Sequence, residues 1–333
     1  MKIAFFDTHS FEWPYFEKLS HEFQHEINFI HTRLTPETAA LATGCLVVCV
    51  FVNDQVNETV LQILSQGGTQ LLALRCAGFN QVDLLAASRF NIRVVRIPAY
   101  SPYAVAEYAV ALIQSINRKI HRAVNRVTEE NFSLNGLVGF DLHRRTVGVV
   151  GTGRIGAIVA KILLGYGCDV LAHDLKPNPE LKKAGVKYVE MEELLKTASV
   201  ITLHLPLTLN TKHFINEETI ALMHPGALLI NTGRGELIDL RALTEALKTG
   251  HIGGVGLDIY EEDEEASFGQ PAGDVLPDER LSRLITFPNV IFTAHQAYLT
   301  KESLMNVAET TLRNISDFEN DLELKNEVVI PSS

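Results

Sequence analysis

Apolar positions along the chain gather into short β-rich runs separated by amphipathic stretches. In the first hundred residues the runs at 2–7, 27–31, 45–50, 70–75 and 93–97 read as strands, and Val56, Val60, Ile63 and Leu64 recur at helical spacing over residues 56–65. The runs do not alternate strictly between apolar and polar, the pattern of parallel strands covered on both faces. Strands alternating with helices predict a doubly wound α/β fold. Residues 98–102 break the rhythm with two prolines. Ser101 is suited to cap a helix whose first position is Pro102. Val105, Ala109, Leu112, Ile113, Ile116 and Ile120 then form one stripe, which predicts a single helix from 102 to about 126. Residues 127–143 are polar and read as irregular. A second α/β series follows, with strands at 146–151, 168–174, 200–206, 227–232, 253–260 and 290–295 and a helix over 300–319.

Composition narrows the function more than the fold. The length of 333 residues suits about two domains with a substantial core. The net charge of −11 argues against nucleic acid or an anionic membrane as partner. It leaves room for a small anionic substrate, because one Arg can hold a carboxylate inside an acidic protein. Cys45, Cys49, Cys76 and Cys168 show no metal spacing, so no metal is expected and buried free thiols in a reducing compartment are. Asp7 interrupts any signal-peptide core, and the longest apolar run, 39–52, is too short to span a bilayer. A cytoplasmic protein is the expectation.

Two stretches carry chemistry. The run 146–150 leads straight into Gly151-Thr152-Gly153-Arg154-Ile155-Gly156. In a dinucleotide-binding turn the first glycine permits the tight turn, the second lets the backbone approach a pyrophosphate, and the third lets helix and strand pack closely. The helix start near Arg154 and Ile155 would face the phosphates with free N–H groups. Asp174 ends the next strand, where a carboxylate binds the adenosine ribose hydroxyls and repels a 2′-phosphate, favouring NAD over NADP.

Three further strand ends hold Arg234 between two glycines, Asp258, and His295. Taken singly, Arg234 also suits a solvated turn and His295 a structural role. Together, downstream of the glycine motif and at the carboxyl ends of strands, they suit a ligand site. A guanidinium fork anchors a carboxylate and polarises a carbonyl, and an imidazole titrating near neutrality donates a proton to a ketone oxygen. That is the chemistry of hydride transfer to a 2-keto acid.

At these residues the chain resembles the D-isomer-specific 2-hydroxyacid dehydrogenases, on their lactate dehydrogenase branch. The resemblance spans nearly the whole chain and rests on GTGRIG at 151–156, HLPLT at 204–208, NTGRGELID at 231–239, GLDIYEED at 256–263 and FTAHQAYLT at 292–300. It implies a Rossmann NAD domain over residues 100–299 and a flavodoxin-like substrate domain built from 1–99 and 300–333. It implies that Arg234 binds the substrate carboxylate and keto oxygen, that His295 is the acid/base, and that an acid paired with it falls at Asp263. The family normally has Glu there, and Glu262 or Glu264 is the alternative. Cofactor contacts fall on Gly151, Gly153, Arg154, Ile155, Gly156, Asp174, Leu205, Pro206, Thr211, Thr232, Gly233 and Asp258. The segment 75–80 resembles the substrate loop, with the N–H groups of Ala77 and Gly78 meeting the substrate carboxylate. Tyr100 and Tyr298 would line a pocket for a short side chain, ordinary packing being the alternative. The implied activity is reversible reduction of pyruvate to D-lactate with NADH, in a homodimer or higher homo-oligomer. The rivals are a dehydrogenase for bulkier 2-keto acids of the hydroxyisocaproate type and a non-catalytic NAD-sensing module.

Overall fold

The computed structural model describes residues 1–98, 101–259 and 279–329. The chain divides into two compact units, one formed by Met1–Ser101 with Leu299–Ser333 and the other by Pro102–Tyr298.

The first unit holds β1 (Lys2–Phe5), β2 (Glu26–Phe29), β3 (Val47–Val50), β4 (Leu71–Leu74) and β5 (Arg93–Val95), all parallel, in the order β2-β1-β3-β4-β5. This is the flavodoxin-like order of a doubly wound sheet. Every side chain of β3 and β4 is buried, as expected of central parallel strands. The helix Lys301–Glu319 completes this unit from the far end of the sequence. Its Val307, Ala308, Leu312 and Ile315 join Ile3, Phe5, Val47 and Leu71 in one core. Thr300 caps it by accepting from the Ser303 N–H.

The second unit holds β6 (Thr146–Val150), β7 (Asp169–His173), β8 (Lys187–Tyr188), β9 (Val200–Leu203), β10 (Ala227–Asn231), β11 (Ile252–Leu257) and β12 (Val290–Phe292). They form one parallel sheet in the order β12-β11-β10-β9-β6-β7-β8. The chain reverses direction across the sheet between β6 and β9, the switch point at which open α/β sheets bind ligands. The short edge strand β8 escapes the hydrophobic pattern, because two residues carry no periodicity.

The stripe over 102–126 does not make one helix. The structure has a helix at Pro102–Asn117 and another at Ile120–Thr128, parted by Lys119 at φ 52°. The cause is Asn117, which is buried and exchanges two hydrogen bonds with the Phe140 backbone, while the Lys119 ammonium donates to the Val138 carbonyl. Ile120 continues the apolar pattern across the break and conceals it.

The first unit also buries a cation. The Arg75 side chain is fully enclosed, donating from Nε and Nη2 to the Glu12 carboxylate at 2.9 Å each and from Nη2 to the Asp7 carbonyl at 2.6 Å. Its guanidinium lies 4.3 Å from the Phe5 ring centre and 4.8 Å from that of Phe51. Burial opposes its charge, but Glu12 together with the neighbouring Cys49 and Asp54 prevails, and the proton is held more firmly than usual. Removing one partner of a buried pair strands the other charge. Glu12→Ala is therefore expected to cost about 3–5 kcal/mol of stability in urea unfolding. A loss below about 1 kcal/mol would show that the pair is not needed.

Candidate active site

The glycine turn follows from close approach. Gly151 adopts φ +88° at the end of β6, and a Cβ on it would come within 2.6 Å of the His204 carbonyl oxygen. A Cβ on Gly156 would come within 1.9 Å of the Gly151 oxygen, so the helix Arg154–Gly165 packs on the strand only with glycine there. A Cβ on Gly153 would meet nothing within 4 Å, which leaves open space at the helix N-terminus. Arg154 is exposed and Ile155 half-buried at that end.

Asp174 stands beyond β7 and is held from several sides. Its Oδ2 accepts from the Thr152 N–H at 2.6 Å and the Thr152 hydroxyl at 3.0 Å, and its Oδ1 accepts from the Lys176 N–H at 2.8 Å. Burial favours the neutral acid, but these donors prevail and keep the carboxyl below its usual value. Tyr188 of β8 donates its hydroxyl to Thr152 Oγ1 at 2.9 Å, and accepts from the Asn178 N–H. Neither Thr152 nor Tyr188 stands out in the sequence; only the fold joins them to Asp174.

After β9, Leu205 and Pro206 lead into a turn closed by Thr211, whose hydroxyl donates to the Pro206 carbonyl at 2.7 Å and accepts from the Thr208 N–H at 2.7 Å. His204 precedes that turn with Nε2 2.9 Å from the Thr202 hydroxyl. Desolvation pushes its imidazole down to about 4.

The three strands β10, β11 and β12 are neighbours, and their carboxyl ends carry Arg234, Asp258 and His295. Asn231, fully buried, shapes the turn after β10: its Oδ1 accepts from the Gly233 N–H at 2.9 Å and its Nδ2 donates to the Arg234 carbonyl at 2.8 Å. Arg234 is left exposed and extended. Thr232 is buried, and its hydroxyl has no hydrogen-bond partner among the described residues.

Asp258 is fully buried and serves the next turn. Its Oδ1 accepts from the Thr293 hydroxyl at 2.6 Å and the Gln296 N–H at 2.9 Å, and its Oδ2 from the Ala297 N–H at 2.7 Å. Its carbonyl accepts from the His295 N–H at 2.7 Å. Burial raises its carboxyl above the usual range despite these donors. His295 sits at φ 51°, a left-handed backbone that histidine tolerates better than most residues and that the clamp maintains. Burial, with the Arg234 charge adding to it, pushes the His295 imidazole down to about 4. Tyr298 presents its ring at right angles to the imidazole, 6.2 Å between centres.

Among the described residues, the expected site residues of the second unit thus gather along the carboxyl edge of one sheet. Ala77 and Gly78 lie after β4 in the first unit. Tyr100 and Asp263 lie outside the described residues, as do Glu262 and Glu264.

A dinucleotide fits the second unit: space beside Gly153, a helix N-terminus, an ionised Asp174 and the partnerless Thr232 hydroxyl all lie at carboxyl ends of strands of one sheet, after β6, β7 and β10. Residues 110–297 match the family model described as D-isomer specific 2-hydroxyacid dehydrogenase, NAD binding domain. The 2-hydroxyacid dehydrogenase homolog 1 of Schizosaccharomyces pombe is 51% identical over 319 residues, covering 96% of each chain. The apo-structure of D-lactate dehydrogenase from Escherichia coli matches at a TM-score of 0.92 and 42% identity, over 99% of this chain and 100% of that one. The NAD-complexed D-isomer specific 2-hydroxyacid dehydrogenase of Lactobacillus delbrueckii ssp. bulgaricus matches at 0.83 and 33% identity, over 99% and 100%. The chain belongs to the D-isomer-specific 2-hydroxyacid dehydrogenases. Its cofactor is NAD.

His204 gives the stability of this unit a pH dependence. Between about pH 6.5 and pH 4 an unfolded chain binds a proton on this imidazole that the folded chain refuses, so stability is full above that window and falls as pH drops through it. A His204→Gln variant is expected to lose less melting temperature from pH 6.5 to 4.5 than the wild type. Parallel melting curves for the two proteins would contradict the assignment.

Proposed function

We propose that the chain is an NAD-dependent D-lactate dehydrogenase, reducing pyruvate to D-lactate reversibly. The observation that carries this reading is the joint presentation of Arg234 and His295 from the carboxyl ends of β10 and β12, close enough for the Arg charge to bear on the imidazole. NADH, when bound, supplies the hydride. Arg234 binds the substrate carboxylate and keto oxygen, and the N–H groups of Ala77 and Gly78 add donors to the carboxylate. His295 exchanges a proton with the substrate oxygen. The site contacts of Leu205, Pro206, Thr211, Thr232, Gly233 and Asp258 with the cofactor belong to the same proposal, with Asp258 also setting the His295 turn. Tyr298 stands edge-on to His295, which suits a pocket wall for a small methyl group.

The proton balance sharpens the role of the paired acid. Burial and Arg234 favour neutral imidazole, the form that takes a proton from D-lactate. Pyruvate reduction needs the protonated form, and a carboxylate against the ring raises its affinity for that proton. Asp263 is the residue we assign to this task. In pyruvate reduction, activity falls as pH rises through the imidazole pKa, so loss of the carboxylate moves that fall to lower pH. Asp263→Asn is expected to shift the descending limb of the kcat/KM profile down by about one unit or more. An unmoved limb would assign the pairing elsewhere.

A cytoplasmic location accords with four free cysteines, all buried. A homo-oligomer accords with the exposed Ile120, Val124 and Val127 along one side of the helix Ile120–Thr128.

The test is NADH oxidation by the purified protein across small and branched 2-keto acids. Pyruvate is expected to give the highest kcat/KM. A higher value with 2-ketoisocaproate would place the chain with the hydroxyisocaproate type, and NADH binding without turnover of any 2-keto acid would make it a sensing module. His295→Ala is expected to lower kcat at least about a hundredfold while NADH still binds.

A further inference from the structure

The loop after β4 contains an oriented peptide group that nothing yet accounts for. Arg96, directly after β5, donates from Nη1 to the Ala77 carbonyl oxygen at 2.8 Å. Its guanidinium lies 5.2 Å from the centre of the Phe79 ring. Its own backbone is pinned at both ends: the N–H donates to the Asn326 carbonyl at 3.1 Å, and the carbonyl accepts from Asn314 Nδ2 at 3.1 Å. Asn326 Nδ2 donates in turn to Asn314 Oδ1 at 2.8 Å, and Asn314 is buried. The far end of the chain therefore holds Arg96 in place.

The other side of the loop is tied as well. Cys76 Sγ donates to the Gly78 carbonyl at 3.3 Å, and the Ile97 N–H to the Cys76 carbonyl at 3.2 Å. Gln81 Nε2 reaches the Phe51 carbonyl at 3.3 Å. Against this, neither the Ala77 nor the Gly78 N–H donates to a protein acceptor among the described residues.

The Ala77 carbonyl and the Gly78 N–H belong to one planar trans peptide and point in opposite directions. Whatever fixes the oxygen aims the hydrogen. A charged donor on the oxygen also polarises the peptide and makes its N–H a stronger donor. We propose that Arg96 is a positioning residue for substrate binding. By holding the Ala77 carbonyl it aims and strengthens the Gly78 N–H as a donor to the carboxylate of a 2-keto acid. This rests on the reading above that the Ala77–Gly78 N–H groups meet that carboxylate.

The test compares Arg96→Met, Arg96→Lys and Gly78→Pro with the wild type, each saturated with NADH. Oxamate, a non-reducible 2-keto acid analogue, is the binding probe, with the pyruvate KM, kcat and NADH affinity measured alongside. Arg96→Met is expected to raise the oxamate Kd and the pyruvate KM about tenfold, the size of one charge-assisted hydrogen bond. kcat should stay within about threefold and NADH affinity should be unchanged. Arg96→Lys, which keeps a donor for the Ala77 oxygen, should recover most of the loss. Wild-type oxamate binding by Arg96→Met, or a loss in which NADH affinity falls equally and lysine restores nothing, overturns the proposal. Should Arg96→Met fail to fold, Arg96→Gln, too short to reach that oxygen, replaces it: weaker oxamate binding than Arg96→Lys supports the proposal, and any other order overturns it. Gly78→Pro deletes the N–H itself. If it binds oxamate like the wild type, the loop does not hold the carboxylate and the underlying reading fails. If it weakens oxamate while Arg96→Met does not, only the role of Arg96 fails.

Discussion

One buried carboxylate organises the chemistry of the second unit. Asp258 ends β11, and its two oxygens gather the Thr293 hydroxyl and the N–H groups of Gln296 and Ala297. Its backbone takes the His295 N–H and gives its own N–H to Asn231. A single residue thereby ties the turns that follow β10 and β12 to the strand between them. The left-handed backbone of His295 persists because this clamp over-determines it. The desolvation that raises the Asp258 carboxyl is only partly countered by donors from three groups, and those donors are what make the buried acid a scaffold.

Electrostatics divide the work. The protein is strongly acidic overall, yet the groups facing the substrate oxygens in our reading are a guanidinium, an imidazole and backbone N–H groups. Net charge describes the surface, and the site departs from it. Arg234 has a cost for its neighbour, since its charge joins burial in keeping His295 neutral. A cation that binds the carboxylate makes proton donation harder, so a compensating acid is a requirement of the chemistry as well as a feature of the family. In our reading that acid is Asp263, which stands where the family usually has Glu.

Much of this was legible in the sequence because it rests on local constraints. The glycine turn reads directly, since Gly151 and Gly156 answer steric demands visible in the structure and Gly153 leaves open space at the helix start. The parallel sheets follow from unalternating apolar runs, whereas the switch point between β6 and β9 appears only with the strand order. What escaped depends on tertiary partners. The break at Lys119 comes from a buried asparagine meeting a segment about twenty residues away, β8 is too short to show a period, and Tyr188 acquires its role through Thr152. The family resemblance marks Asp258 as a cofactor contact, and its scaffolding role appears only when β12 is laid beside β11. Arg96 is likewise silent in one dimension, because its partner is a carbonyl on another loop.

In our reading the enzyme transfers hydride stereospecifically to the keto carbon of pyruvate. The most direct measurement of this transfer is the configuration and label content of lactate formed from pyruvate and NADH deuterated at both C4 positions. D-lactate carrying one deuterium at C2 is expected. L-lactate, a racemate, or lactate with hydrogen from water at C2 would contradict it.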